Sequence, residues 1–347
     1  MEALYVWRKF KGKTIKMRIG LFLGVLMFSF GCNKFSSNKL SKHVPYFSVY
    51  SSELASLIDT NARFEVIVDG YKQIKSLLWM DSVLVFTNDS KEMVHKWAPQ
   101  KKVLPLFKWS DDRSNNEKLQ ISGIALDKNG KLLMSLPKKG CIGRLTSSYE
   151  DEFIEYEVIT SEYAGKPYKN LYDLCVDTRG NVFYTDSPSE ENLGKGANVV
   201  PMPFGGLYLL KADSSQHLLD NKLHRLGGIA LSPNMSKLYA TSVENGQIIC
   251  MEYRLNDSQR LISKKVIFSQ ALPTGQPSPL HFGIAVSKTG FIFMCGKKSI
   301  IIIDALGNKV GDIFTDVPVS NCTFDRDESF LYFALMDKII RVPLKKI

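Results

Sequence analysis

The 347-residue sequence contains no apolar run long enough to cross a bilayer as a helix, which would take about twenty residues. It has no Cys-x-x-Cys and no His-Glu-x-x-His, so the common structural and hydrolytic zinc spacings are excluded. It also lacks a phosphate-cradling glycine loop, a dinucleotide fingerprint and a Gly-x-Ser-x-Gly nucleophile elbow. Histidine is scarce: His43, His95, His217, His224 and His281 are the only five, and no two have a metal-binding spacing. From residue 49 to the end no Gly/Pro/Ser-rich stretch interrupts the chain, so this stretch reads as one large domain. A concentrated basic face, the footprint of nucleic-acid binding, is missing as well. The net charge is +10, but Arg8, Lys9, Lys11, Lys13, Lys16 and Arg18 against Glu2 account for half of it. The remaining +5 is spread over residues 32–347 as scattered pairs such as Lys138-Lys139 and Lys297-Lys298.

What is present is repetition. The stretch Leu171–Pro188 reads as strand, tight turn, strand: Leu174-Cys175-Val176, then Asp177-Thr178-Arg179-Gly180, then Asn181–Thr185. Gly180 is free to take the positive φ that the turn requires. The template recurs at Ile121–Met134, Leu226–Thr241 and His281–Met294, and more weakly at Ser320–Phe333 and Lys75–Phe86. The turn-start residues Asp127, Asp177, Ser232, Ser287 and Asp325 are 50, 55, 55 and 38 residues apart. A β-rich unit at such a period is the signature of a propeller, and six copies predict an all-β, six-bladed β-propeller with almost no helix.

The N-terminal segment stands outside this repeat. Ile19–Phe30 is a run of twelve apolar or small residues behind Lys16, Met17 and Arg18, the pattern of a secretory signal. It ends in Ser29-Phe30-Gly31-Cys32, which resembles a bacterial lipobox and implies cleavage before Cys32 and lipidation of its thiol, with Met17 as the natural start. The expected organisation is a leader and signal peptide over 1–31, a polar tether over 32–48 and the propeller over 49–347. A lipid-anchored position in the cell envelope follows, at the outer membrane or facing the periplasm. Of the remaining cysteines, Cys175, Cys250 and Cys295 lie inside apolar strand runs and read as core; an oxidising compartment would allow one pair to join.

In a propeller the innermost strand of each blade lines a central channel, and the residue just before it faces the channel mouth. The six templates place Lys75, Ser122, Tyr172, Gly227, Phe282 and Ser320 there, with Asp173 and His281 beside them.

Several runs are similar to the gluconolactonase and regucalcin family. They are Glu65–Tyr71 with Trp79 and Phe86-Thr87-Asn88 as an opening blade; Asp173 with Val176-Asp177, Gly180 and Phe183–Pro188; Gly228–Pro233 with Leu238-Tyr239; and Asn321-Cys322 with Leu331-Tyr332. The resemblance covers roughly residues 64–344. It implies metal-assisted hydrolysis of lactones, with a divalent cation on the channel axis. This chain departs from the implied ligand pattern at each position: Lys75 stands for Glu, Tyr172 for Asn, Ser122 and Gly227 for Asn, and Phe282 for Asp. The expectation is therefore a propeller without the family metal and without another cofactor. Lys75, Ser122, Tyr172, Asp173, Phe282, His281 and Ser320 would bind a small sugar-derived or acidic molecule, with no nucleic-acid partner. The alternative is a hydrolase of lactones or related sugar esters with relocated chemistry, for instance a Lys75 whose basicity is tuned by burial.

Overall fold

The structure, a computed structural model, describes residues 5–10, 13–18, 45–88, 94–107, 120–149, 151, 154–187, 202–272 and 282–345. The chain divides into two units, Met1–Lys42 and His43–Ile347. In the first, Tyr5–Phe10 and Lys13–Arg18 pair as an antiparallel hairpin. The run Ile19–Phe30, Cys32 and His281 lie outside the described residues.

The second unit is a ring of six antiparallel sheets. Each blade begins with an innermost strand: Ile74–Met80, Ile124–Leu126, Leu171–Val176, Leu226–Leu231, Ile284–Val286 and Val319–Phe324. Each of these has a hydrogen-bonded neighbour on one side alone, so its other backbone edge is turned to the ring's axis. The repeated turn explains how each innermost strand reverses into the second. Asp177 Oδ1 accepts from the N–H of Arg179 and Asn181, and Gly180 sits at φ +90°. Asp127 does the same for Asn129 and Lys131 at Gly130 (φ +78°), and Ser287 Oγ accepts from the N–H of Phe291 at Gly290 (φ +89°). The turn-start residue thus accepts the backbone donors that the turn leaves over, an Asx- or Ser-type device written into the repeat.

The second strands lie deepest. All residues of Leu132–Leu136 and of Val182–Asp186 are buried, because both faces of each sheet pack against neighbouring blades. This is why these strands read as continuous apolar runs and not as alternation. The core is correspondingly divided into clusters between sheets; the largest joins the fourth, fifth and sixth blades around Phe293, Ile301, Ile313 and Phe333.

Two N-terminal segments close the ring. Glu65–Val68 pairs with Ile339–Pro343 and becomes the outermost strand of the sixth blade. The run Glu65–Tyr71, read from sequence as part of the opening blade, therefore belongs in its strand portion to the last. Arg341 seals the seam by an ion pair to Glu65, 2.7 Å. Tyr46–Val49 adds a fifth strand to the fifth blade by pairing with Lys309–Phe314, so the sheet begins three residues before the expected boundary at 49. Between these segments lies the helix Ser52–Leu57, capped by Ser51, whose Oγ accepts from Leu54 N; it buries Leu54 and Leu57. Cys141, Cys175, Cys250, Cys295 and Cys322 are free thiols.

Candidate functional site at the propeller axis

The strand pairings set the level of each residue along the axis. Leu77 faces Phe86, Ile124 faces Met134, Leu174 faces Tyr184, Ile229 faces Ala240, Ile284 faces Met294 and Cys322 faces Phe333. Counting back two residues from each gives Lys75, Ser122, Tyr172, Gly227, Phe282 and Ser320, so these six share one level of the ring. In four blades a bulge produces the placement: pairing is interrupted between Ile74 and Leu77, Leu171 and Leu174, Leu226 and Ile229, and Val319 and Asn321. Bulged residues leave the ladder and their side chains are re-aimed.

The six do not have equal roles. Ser122 is buried and donates its hydroxyl to Leu171 O, 2.8 Å away in the next blade. Ser320 donates to Ile74 O at 2.6 Å, joining the sixth blade to the first. Phe282 is 1% exposed and its ring belongs to the large core cluster, while its carbonyl accepts from Gly228 N and Thr241 Oγ1. Sequence reasoning put that ring in a pocket; the close packing of the fourth and fifth blades draws it into the core instead. Gly227 has no room for a side chain, since a Cβ would meet Thr241 Oγ1 at 2.5 Å. Lys75 and Tyr172 are half-buried. Burial pushes the Tyr172 phenol far above its usual range, with the Asp173 charge and the Cys295 thiol adding to the effect.

One residue further along, a second ring comprises Ser76, Gly123, Asp173, Gly228, Gly283 and Asn321. The glycines are forced by backbone approach: a Cβ at Gly228 would lie 2.7 Å from Gly283 Cα, and one at Gly283 2.9 Å from Asn321 Cα. Asp173 is wedged between blades. Its Oδ1 accepts from Leu174 N at 3.0 Å and its Oδ2 from Ile229 N at 3.1 Å. Burial outweighs these two donors and raises its carboxyl to about 6.

Beyond this ring an open cavity of about 420 Å³ runs along the axis. It reaches from Ser76, Asp173 and Asn321 to the far ends of the inner strands, where Leu126, Val176, Leu231 and Glu328 line it. Sequence reasoning did not select Ser76 or Glu328: a lone serine in a strand and a lone acid in a turn carry no pattern. Asn321 appeared there only as part of a family-like run. The thiols here are not activated, because burial drives Cys175 and Cys295 well above the ordinary cysteine range.

The chain is 24% identical over 312 residues to a gluconolactonase of Zymomonas mobilis, covering 85% of each chain. Its fold is similar to that of a gluconolactonase from Xanthomonas campestris, with a TM-score of 0.71 at 21% identity over 87% of this chain and 95% of that one. It is also similar to a luciferin-regenerating enzyme, with a TM-score of 0.63 at 20% identity over 82% of this chain and 95% of the other. Residues 75–336 match the family described as the SMP-30/Gluconolactonase/LRE-like region. That match spans the ring from Lys75 in the first inner strand to the last turn of the sixth blade, and the chain belongs to this family.

Proposed function

We propose that this chain is a ligand-binding member of its family that has given up metal-assisted lactone hydrolysis. The observation that carries this reading is the donor set at the two axial rings. Among their twelve positions Asp173 is the only acid. A hard dication takes about six to eight oxygen ligands, commonly with more than one carboxylate. Lys75 brings an ammonium to the same level, and a like charge at short range opposes a dication. Among the described residues no three His, Cys, Asp or Glu side chains gather as a metal site. The residues do not fit the metal.

In this reading Lys75, Tyr172, Asp173 and His281 meet a small sugar-derived or acidic molecule at the channel mouth, while Ser122 and Ser320, whose hydroxyls are donated to Leu171 O and Ile74 O, hold together the inner strands that frame it. Phe282 shapes the wall from the core. The Lys75 ammonium supplies charge and the Tyr172 ring a stacking face. Cys32 carries the lipid anchor that holds the protein in the cell envelope. Calorimetric titration of the chelator-stripped protein with calcium and with zinc tests the central point. No stoichiometric site of micromolar or tighter affinity is expected, together with little or no hydrolysis of gluconolactone. A tight site at the channel mouth would restore the lactonase reading.

A further inference from the structure

The axial cavity has a chemical character opposite to that of the chain around it. The protein is cationic overall, yet the lining of the cavity includes no Lys, Arg or His among the described residues. Its two charged groups are both acids, Asp173 at the inner end and Glu328 at the rim. Lys288 comes nearest to Glu328, but it donates its backbone N–H there, 2.7 Å, and turns its ammonium to Arg326 O at 2.8 Å. Neither acid has a basic side chain within hydrogen-bonding distance among the described residues. Burial raises both carboxyls above their ordinary values, and at Glu328 the Lys288 charge only partly offsets it.

An independent observation points the same way. Asn321 is 8% exposed, lines the cavity, and its side-chain amide hydrogen-bonds to no described residue. Because the residue lines the cavity, this amide is open to something that enters there. The Ser76 hydroxyl, at the same level one blade on, is likewise without a hydrogen bond to a described residue. The remaining wall is the axial edge of the inner strands, where the N–H groups of Gly228 and Gly283 are taken by Phe282 O and Ser320 O of the next blade.

We propose that this cavity binds a small organic cation, a compact protonated amine. The ammonium would sit between Asp173 and the Asn321 and Ser76 oxygens, and Glu328 at the rim would attract it from solvent. A carboxylate, an amide oxygen and a hydroxyl are all acceptors, matching the three donors of a primary ammonium. The volume of about 420 Å³ falls within the usual range for small-ligand sites. The site is entered from the face of the turns that follow the inner strands, opposite the mouth where Lys75 stands. It shares only Asp173 with the mouth site and does not depend on the proposed loss of metal chemistry.

Calorimetry or ligand-observed NMR on the whole mature chain, with n-butylammonium and ethanolammonium as probes and 1-butanol and ethylene glycol as neutral matches, tests the proposal. The ammonium probes should bind one per chain and the neutral ones should not. Asn321→Leu should weaken the ammonium about tenfold, the scale of a hydrogen bond to a charged group, and Asp173→Asn by about thirtyfold or more. Asn321→Asp should tighten it, which keeps the test open should Asp173→Asn fail to fold. Lys75→Met should leave amine binding unchanged while altering any ligand of the mouth, so the two sites can fail separately. Equal binding of neutral and cationic probes, or ammonium binding indifferent to both Asn321 variants, would overturn the proposal. So would no binding of either amine at millimolar concentrations.

Discussion

Ser320 Oγ lies 2.6 Å from the carbonyl oxygen of Ile74, so a side chain near the C-terminal end of the ring is hydrogen-bonded to the backbone that begins the first blade. Ser122 makes the matching bond to Leu171 between the second and third blades. These hydroxyls act as straps between innermost strands, whose axial edges have no ladder partner. Ser320→Ala should cost about 1 kcal/mol, the net value of one hydrogen bond, and lower the melting temperature by about 2 °C in a domain of this size. Thermal unfolding compared with Ser122→Ala checks it; a neutral Ser320→Ala would show that strand closure by Glu65–Val68 suffices alone.

Backbone approach at the axis predicts a much larger effect. Gly228→Ala sets a methyl 2.7 Å from Gly283 Cα and 2.9 Å from Ile284 N, neither of which is a flexible side-chain end. Loss of about 3 kcal/mol or failure to fold is expected, since overpacking a rigid site forces backbone shifts. Gly246→Asn, at a turn with φ +75° and open space around it, should change stability by less than about 1 kcal/mol. Denaturant titration of the two variants decides between steric and generic glycine effects.

The packing of Phe282 qualifies any attempt to rebuild the family's ligand set. Phe282→Asp removes a ring that is 1% exposed and leaves a carboxylate in the largest core cluster. The truncation alone is worth about 3–5 kcal/mol. The triple replacement Lys75→Glu, Tyr172→Asn, Phe282→Asp should therefore lower the unfolding midpoint strongly, whereas Lys75→Glu with Tyr172→Asn should not. Metal affinity is to be read only on variants whose unfolding remains cooperative.

Stability should rise as pH falls from neutrality to about 5. Asp173 and Asp186 are both raised to about 6 by burial. The folded state then binds protons that the unfolded state, with ordinary carboxyls near 4, releases. The cost of their ionisation is complete above pH 6 and relieved as pH falls through 6 towards 4. Each group is worth on the order of 3 kcal/mol at most. Below about pH 4 the trend should reverse, because Asp220, Glu244 and Glu252 are lowered by their partners, among them Lys264, Ser242 and Lys237. Melting temperatures between pH 3.5 and 8 test the shape; a flat or steadily rising curve towards pH 8 contradicts it.

The lipid-anchor proposal rests on one residue, Cys32. Cys32→Ser should move the protein from the membrane fraction to the soluble one. Unchanged sedimentation with membranes would remove the lipid-anchor proposal and leave the propeller reading intact.

The repeat, the blade number and the level of the mouth residues were all readable from the chain. They follow from local chemistry that recurs: an Asp or Ser accepting turn N–H groups, a glycine at positive φ, and β-branched or aromatic runs on either side. Because such signals act within about fifteen residues, one blade can be aligned to the next without knowing how they are arranged. Ring closure was not readable in this way. Glu65–Val68 and Tyr46–Val49 join blades formed some 270 residues later, and nothing local in a β-rich segment names its partner. The same limit separates Phe282 from Asp173. Both belong to the start of an inner-strand template, but packing between blades buries one ring in the core and leaves the other residue's carboxylate at the axis. Sequence alone determined the repeat and the positions that precede each inner strand; only the close approach of six sheets around one axis decided which of them strap the ring together and which fill its core.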